Sequence, residues 1–589
     1  MRARPSGRTI VFPRSPCFAI RTAHKGRSAG ACRSDRNNSS RRGSIFPTRR
    51  WQAKTRGTLM PRQTLTDRDH DLLFGDDALE PGDAVVHFEH GLARYDGEEE
   101  CDLGDAHQTL TTFVYRNGGK MMLPAEEGHD FWRFGAPADT LTLDRLKSDD
   151  WVRRRDEMIV ELRQSADRMV ELDRARKAAK ASALVPDAKA LAAFADGFGH
   201  EPTEDQERAI AAVLEDLGRQ TPMDRLLVGD VGFGKTEVGL RAAAAAALSG
   251  HQVVLAAPTT VLARQHYTSF AARFEGTGVS VAELSRLTGA DDRRAVLDGL
   301  ASGEIGVVIG TQTLLDDALS FDALALVIID EEQRFGEEQK DKLRHLASGV
   351  HVLSMTATPI PRSLAAAEVG LVDVSVVATA PKSRKPVETR LGVLDEDTML
   401  AAIARETARD GQCYLVCPRI AGVERMEALL KERKVDFSYV VAHGQMTDED
   451  MADAMLRFMA GEVDVLLSTS IIESGLDNGR ANTMIVWNAE RFGLSQLHQL
   501  RGRIGRSQLP AHMLLMTDMD TDDDSDAAAR LNAFSRMSEI GAGFRIARKD
   551  RDIRGFGALD GTEQSGQMSR LGIGLYRHVL KNHVEAIDG

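Results

Sequence analysis

The fold class predicted by this 589-residue sequence is multidomain α/β, with two parallel sheets in tandem behind a smaller β module and a helical linker. Three observations carry that prediction. From about 205 to 380, short apolar runs (Arg225–Val228, Val253–Ala257, Val307–Ile309, Leu326–Ile329 and His351–Met355) alternate with helical stretches. The alternation repeats from about 386 to 516 through Gln412–Val416, Tyr439–Ala442, Val463–Leu467, Thr483–Trp487 and Met513–Met516. Strands separated by helices require crossover connections, and so parallel sheets. Residues 80–124 instead read as hairpins. Gly82–Phe88 and Leu92–Tyr95 flank Glu89-His90-Gly91, and the β-branched run Thr109–Tyr115 turns at Asn117-Gly118-Gly119 into Lys120–Leu123.

Between the β module and the first sheet, Asp149 to Leu184 holds neither Gly nor Pro. Trp151, Met158, Ile159, Leu162, Ala166, Met169 and Val170 keep helical spacing there, which predicts a long amphipathic helix, broken at most once and ended by Pro186. After the second sheet, Asp522-Asp523-Asp524 lies in a polar linker, and a tail with many glycines follows at 541–574. The chain therefore divides into a leader (1–60), the β domain (79–136), the helical linker (137–190), lobe 1 (191–385), lobe 2 (386–520) and a C-terminal region (521–589).

With 42% hydrophobic and 28% charged residues the composition is that of a globular chain. No apolar run approaches the roughly 20 residues of a membrane span. Residues 1–60 hold 15 Lys and Arg against one acid, Asp35, while the whole chain carries −13, so the remainder carries −27. A nucleic-acid partner must then be held by local basic tracks, because the overall field repels phosphate. The Arg-, Ser- and Gly-rich leader has the composition of a transit peptide. It equally suits a bacterial reading frame opened too far upstream, with Met60 as the true start, and the bacterial character of the rest favours that alternative. Either way the leader is expected to be disordered. Five cysteines are too few and too scattered for a disulfide framework, and Cys413 and Cys417 share one face of an apolar strand, so the protein reads as reducing and cytoplasmic. His87 and His90 lack a third ligand and read as structural.

Chemistry is concentrated in three strings. Gly229-Asp-Val-Gly-Phe-Gly-Lys-Thr236 fits the phosphate-loop pattern, and it follows a strand and opens a helix, as that pattern requires. Gly229, Gly232 and Gly234 belong to the loop, whose backbone N–H groups converge on phosphate oxygens. Lys235 would neutralise the β and γ phosphates, and Thr236 would offer its hydroxyl to Mg²⁺. Ile328-Ile-Asp-Glu-Glu-Gln333 ends an apolar strand in acids, Asp330 for Mg²⁺ and Glu331 for the attacking water. Gln499-Leu-Arg-Gly-Arg-Ile-Gly-Arg506 sets arginines in register, and Arg503 and Arg506 suit the charge that develops on a γ-phosphate held by the other lobe. Such fingers are worth about 10³–10⁵ in rate. Together the strings point to an ATP-driven machine of two lobes.

This set resembles that of superfamily 2 helicases and translocases. Phe198 with Thr203-Glu-Asp-Gln206 resembles the adenine-reading Q motif; Pro258 to Gln265, with Thr259 and Arg264, resembles motif Ia; and Gly310-Thr311-Gln312 resembles motif Ib. Thr356 to Arg362 resembles motif III, while His443 to Met446 and Thr469 to Asp477, with Gly475, resemble motifs IVa and V. The resemblance implies RecA-like lobes with ATP between them, and phosphate-backbone contacts to double-stranded DNA from Thr259, Arg264, Thr311 and Thr469. Gly541 to Phe544, Asp552 to Gly555 and Glu563 to Gly566 resemble the translocation hairpin shared by RecG and the transcription-repair coupling factors. In that motif an arginine and a glutamine, matched here by Arg554 and Gln564, couple turnover to movement on duplex DNA; Arg530 matches another arginine of the hairpin.

Gly82 to Tyr95 is similar to the CarD-like RNA-polymerase-interacting domain of the coupling factors, where RecG carries an OB-fold wedge. That implies contact with RNA polymerase through residues 80–124. The resemblance covers about 80–580. The family's UvrB-like region has no counterpart, so UvrA recruitment is not expected, and without its C-terminal inhibitory domain the motor is expected to be less restrained. Asp-Glu-Glu-Gln replaces Asp-Glu-Glu-His, Asp477-Asn-Gly479 replaces Asp-Ile-Pro, and Leu559-Asp-Gly-Thr562 replaces Leu-Leu-Gly-Glu. Two rivals remain at this level: a RecG-like remodeller of branched DNA, and a CarD-like polymerase-binding regulator with a vestigial ATPase. Intact Lys235, Asp330, Glu331 and Arg506 oppose the second.

Overall fold

Residues 66–75, 79–103, 106–124, 130–146, 148–316, 318–346, 349–357, 361–382, 384–473, 477–507, 509–518, 526–536, 543 and 571–588 are described by the computed structural model, all within one compact unit, Gln63–Gly589. The leader, Thr358–Ile360, Gly475, Arg554 and Gln564 lie outside the described residues.

The β module is an antiparallel sheet of β1 (Asp83–His87), β2 (Gly91–Leu103), β3 (Ala106–Val114), β4 (Lys120–Pro124) and β5 (Phe131–Pro137), in the order β4-β3-β2-β1-β5. β2 runs well past the expected Tyr95, because its acidic outer half pairs with β3 although no apolar alternation marks it. β5 was not anticipated; it contains Gly135 and ends at Pro137.

The long helix spans Asp150–Ala178 and stops short of the expected Leu184. Pro186 is not what ends it. Ala181 and Leu184 give their backbone N–H groups to the carbonyls of Gln220 (2.7 Å) and Leu217 (2.8 Å), and Leu184 is buried in the lobe 1 core. At the other end, the Trp151 indole N–H donates to the Phe88 carbonyl at 2.8 Å. Trp151, Met158, Leu162 and Ala166 form one core with β1, β5, the Pro361–Glu368 helix and the C-terminal helix Ile573–Asp588. Trp132 of β5 packs against His578 with the rings tilted and 4.6 Å apart, and Arg577 pairs with Glu368 and donates to the Phe74 carbonyl.

Lobe 1 is a seven-stranded parallel sheet of β6 (Asp224–Gly229), β7 (Gln252–Ala256), β8 (Ser280–Leu284), β9 (Ile305–Gly310), β10 (Leu324–Asp330), β11 (His351–Thr356) and β12 (Asp373–Val377), ordered β12-β6-β11-β10-β7-β9-β8. Lobe 2 holds β13 (Val387–Val393), β14 (Gln412–Val416), β15 (Tyr439–Ala442), β16 (Val465–Ser468), β17 (Ala481–Trp487) and β18 (Ala511–Thr517), also parallel, ordered β13-β18-β17-β14-β16-β15. Central strands are buried on both faces and therefore read as continuous apolar runs. The unanticipated β8, β12 and β13 are all edge strands, partly exposed, so polar residues interrupt them.

The lobes repeat one device. Gln252 opens β7 and donates to the carbonyls of Leu300 and Ile305 (2.8 and 2.9 Å), as Gln412 opens β14 and donates to those of Phe458 and Val463 (2.8 and 2.6 Å). Cys413 and Cys417 are buried in the lobe 2 core, and burial pushes the Cys417 thiol up to about 12. His87 and His90 stack at 4.8 Å, and among the described residues no group of three or more His, Cys, Asp or Glu gathers as a metal site. No helix among them is long and apolar enough to cross a membrane.

Trp151→Ala should remove the side chain through which the long helix packs on the β module and hydrogen-bonds Phe88. A loss of about 3–5 kcal/mol is expected, read as an earlier first transition in a thermal melt; an unchanged melt would show that the helix and sheet are not one cooperative unit.

Candidate functional site

The phosphate loop leaves the C-terminal end of β6 and enters the Lys235–Ala247 helix. Gly232 and Gly234 have φ of +77° and +82°, which L side chains rarely adopt. A Cβ on Gly232 would strike the Arg384 guanidinium, and one on Gly234 the Gln206 amide. Gln206 is itself locked by a capping box with Thr203, whose N–H it accepts at 2.9 Å, and its Nε2 donates to the Phe233 carbonyl at 2.7 Å. It therefore grips the loop that it precedes in sequence. Phe198, half-buried, lies edge-on to His200 at 5.5 Å. Thr236 is half-buried in the first turn of the loop helix. Lys235 Nζ donates to the Gly229 carbonyl (2.6 Å) and the Asp230 carbonyl (3.2 Å). Burial pushes its pKa down, against the opposing charges of Glu331, Asp330 and Asp230.

Asp330 ends β10, buried. Its Oδ2 meets His266 Nε2 at 2.7 Å and its Oδ1 accepts the Glu331 N–H at 3.1 Å. Burial alone would raise this carboxyl, but the hydrogen bond from His266 and the charge of Lys235 hold it below its ordinary value. Glu331 sits in the left-handed region at φ 51°, ψ 50°, with its N–H bonded to the Met355 carbonyl at 2.9 Å. Such conformations cost on the order of 1–3 kcal/mol and cluster at functional sites. Gln333 donates to the Glu331 carboxylate and accepts the Thr356 hydroxyl at 2.8 Å. The glutamine that departs from the family pattern thus bridges the second acid to β11, using both ends of its amide.

Lobe 2 closes over this face. Arg503, buried, donates to the Glu473 carbonyl at 2.7 Å, and burial together with Arg506 brings its pKa down to about 10, against the pull of Glu331. Arg506 bonds the Gly502 carbonyl (3.1 Å) and pairs with Asp477 (2.8 Å), whose carboxyl it holds below the usual range. His498, on the Leu494–Arg501 helix, meets Asp230 Oδ1 at 2.7 Å; half-buried Gln499 is the next residue. Arg384, on the linker between lobes, donates to the Val231 carbonyl and, at 3.4 Å, to that of Gly502. Burial lowers its pKa to about 10.

The structure therefore brings the phosphate loop, Asp330 and Glu331, and the arginines of 499–506 to one cleft. Other expected residues are engaged elsewhere. Thr259 caps its own helix by accepting the Leu262 N–H (3.3 Å), Arg264 pairs with Glu283 (2.5 Å), and Arg530 donates to the Glu490 carbonyl (2.8 Å). Thr311 is buried, and buried Thr469 bonds the Ala442 carbonyl through its N–H (3.3 Å). His266, Gln333, Arg384 and His498 were not singled out as site residues by the sequence. His266 and His498 each adjoin a recognised string, which is the only signal that could have marked them.

Comparison with known proteins agrees with this geometry. The family model for DEAD/DEAH box helicase matches residues 203–367, that for helicase conserved C-terminal domain 396–508, and that for CarD-like/TRCF RID domain 79–134. The two helicase models imply a nucleotide, ATP, at the cleft. Among solved structures, that of RecG bound to a three-way DNA junction is similar with a TM-score of 0.54 and 30% identity, over 76% of this chain and 67% of that one. Fold and cleft thus define the class, a superfamily 2 helicase motor. The sequence is 39% identical over 512 residues to the transcription-repair-coupling factor of Bacillus subtilis and 36% identical over 548 to that of Staphylococcus epidermidis. Those matches cover 87% and 92% of this chain but 44% and 47% of the relatives, so the chain spans less than half their length. Over most of its own length the chain is therefore similar to the transcription-repair-coupling factors, including their CarD-like module.

Lobe closure depends on a bare Cα at Gly502, where a Cβ would lie 2.6 Å from that of Val231. Gly502→Ala should therefore force the arginine string off the loop and lower ATP turnover by about 10²-fold, the scale on which an ångström of misplacement acts. Steady-state hydrolysis at wild-type rate, in a variant with a wild-type melt, would show that turnover does not need this contact.

Proposed function

We propose that the chain is an ATP-dependent double-stranded DNA translocase that acts on RNA polymerase stalled on DNA, in the service of DNA repair. The observation that carries it is the convergence of Lys235, Asp330, Glu331 and Arg503 at a cleft between two parallel-sheet lobes, with a CarD-like sheet attached to the first. The cleft fits ATP. A Cβ on Gly232 or Gly234 would strike Arg384 or Gln206, so the loop stays bare, and the cations Lys235, Arg384, Arg503 and Arg506 ring the cleft.

Thr236 and Asp330 would hold Mg²⁺, which when bound would draw charge from the phosphate oxygens. Glu331 would accept the proton of a water attacking the γ-phosphorus while the bond to the β-phosphate oxygen breaks. Arg503 and Arg506 would stabilise the charge on the transferred group. Gln206 and Phe198 would flank the adenine, and Gln499 would join the arginines at the phosphates. Gly475 and Asp477 would complete the nucleotide site from lobe 2. Thr259, Arg264, Thr311 and Thr469 would follow the phosphate backbone without reading sequence. Arg554 and Gln564, with Arg530, would convert closure into movement. The β module, residues 80–124, would contact RNA polymerase. The likeness to RecG supports the motor. The CarD-like sheet, in place of a junction wedge, favours polymerase over branched DNA as the object of that motor.

Three outcomes test this. Lys235→Ala should weaken ATP binding, whereas Glu331→Gln should bind ATP normally and lose turnover by about 10²–10⁴-fold, as for other general bases; near-normal DNA-stimulated hydrolysis in the Glu331 variant would remove it from that role. Arg554→Ala or Gln564→Ala should retain hydrolysis yet fail to displace a triplex-forming strand from duplex DNA. Parallel loss of both activities would sink the coupling assignment. Affinity for duplex should be blind to sequence, and its logarithm should fall against log salt with a slope of about −0.9 per phosphate contact; a flat response contradicts backbone tracking.

A further inference from the structure

Two neighbouring side chains on one lobe 1 helix touch the two halves of the cleft. In the Thr260–Phe274 helix, Gln265 Oε1 accepts the backbone N–H of Asp477 from lobe 2 at 2.8 Å, and His266 Nε2 meets Asp330 Oδ2 at 2.7 Å. Asp477 in turn holds Arg506 through its carboxylate at 2.8 Å. Resting on the reading of this cleft as an ATP-hydrolysing site, we infer that Gln265 and His266 are positioning residues that transmit lobe closure to the metal-binding carboxylate of Asp330.

The geometry suits transmission. Successive helix residues point about 100° apart, so one short rigid segment can face the partner lobe with one side chain and the catalytic strand with the next. No torsion outside the helix lies between them. His266 is 2% exposed and packs edge-on to Phe270 at 6.3 Å and 86°, so its ring has a fixed orientation. With Nε2–H given to Asp330, Nδ1 remains buried without a hydrogen-bond partner. A phenyl ring would fill that space without leaving a buried nitrogen unmet. The imidazole is therefore explained by the bond to Asp330 and not by packing. Asp330's second oxygen is held by the Glu331 N–H, so the histidine sets the remaining freedom of the carboxylate. Groups that orient a metal-ligating carboxylate typically govern affinity or activity by about 10–100-fold.

The test uses the full chain, with ATP turnover measured across Mg²⁺ concentration and with duplex DNA, and with binding of a fluorescent ADP analogue and thermal melting followed in parallel. His266→Phe should lower kcat by about 10–100-fold and raise the Mg²⁺ needed for half-maximal rate, while the analogue binds within about threefold in the absence of Mg²⁺ and the melt is unchanged. His266→Gln, which places an amide donor near the original Nε2, should recover most of the loss. Gln265→Ala should lower kcat, whereas Gln265→Glu, which keeps the acceptor, should not. Because both residues act along one path, His266→Phe with Gln265→Ala should be no slower than His266→Phe alone. A His266→Phe enzyme with wild-type kcat and Mg²⁺ dependence overturns the inference. So do losses that multiply in the double variant, or equal impairment of the Phe and Gln variants with a lowered melt. A wild-type chain that does not hydrolyse ATP under DNA stimulation refutes the parent reading instead, a result separable from all of these.

Discussion

Contact between the lobe 2 arginine string and the lobe 1 phosphate loop is the constraint on which the rest depends. Gly502 lies against Val231, His498 bonds Asp230, and Arg384 bonds both Val231 and Gly502. Asp230 and Arg384 depend on these contacts because each is a buried or half-buried charge that is costly alone. Burial would push the Asp230 carboxyl up, yet pairing with His498 and the Val231 N–H holds it well below its ordinary value. Conversely, burial pulls Arg384 and Arg503 down to about 10, so the cleft concentrates cations that an anion would relieve.

Away from the cleft, the β module is not a loosely tethered appendage. The core that holds Trp151 and Met158 also holds Ala365 and Ala366, from the helix that begins within the Thr356–Arg362 string, and Leu575 and Tyr576 of the C-terminal helix. Arg577 extends this junction to Glu368 and Phe74. A packed core of this kind moves as a body or rearranges between discrete arrangements, because dense packing does not deform continuously. Side-chain packing therefore joins lobe 1 to the β sheet, with the long helix as its spine.

Departures from the family's motifs look different once their contacts are known. Gln333 stands where a histidine is usual, and it still joins Glu331 to Thr356, since an amide donates and accepts at once. Asn478, in the altered Asp477-Asn-Gly479 string, is buried and donates to Gln412 Oε1 at 3.0 Å, so it contributes to the base of the lobe 2 sheet.

By itself the sequence determined the two parallel sheets, the phosphate loop, the acids that end β10 and the arginine string, because each is written in contiguous residues whose backbone geometry is local. Gly232 and Gly234 announce a loop that only glycine can form, and Leu326–Ile329 announces a strand buried on both faces. Tertiary structure decided what could not be written locally. Beyond Ala178 the chain leaves the helix, Ala181 and Leu184 giving their N–H groups to Gln220 and Leu217 instead, and the edge strands β8, β12 and β13 exist because a neighbour offers them a ladder. The residues that set the cleft, His266 on Asp330, Arg384 on Val231 and His498 on Asp230, find partners 64, 153 and 268 positions away. No periodicity encodes a pairing at such separations; it arises only when two sheets close on each other and every buried charge must find a partner.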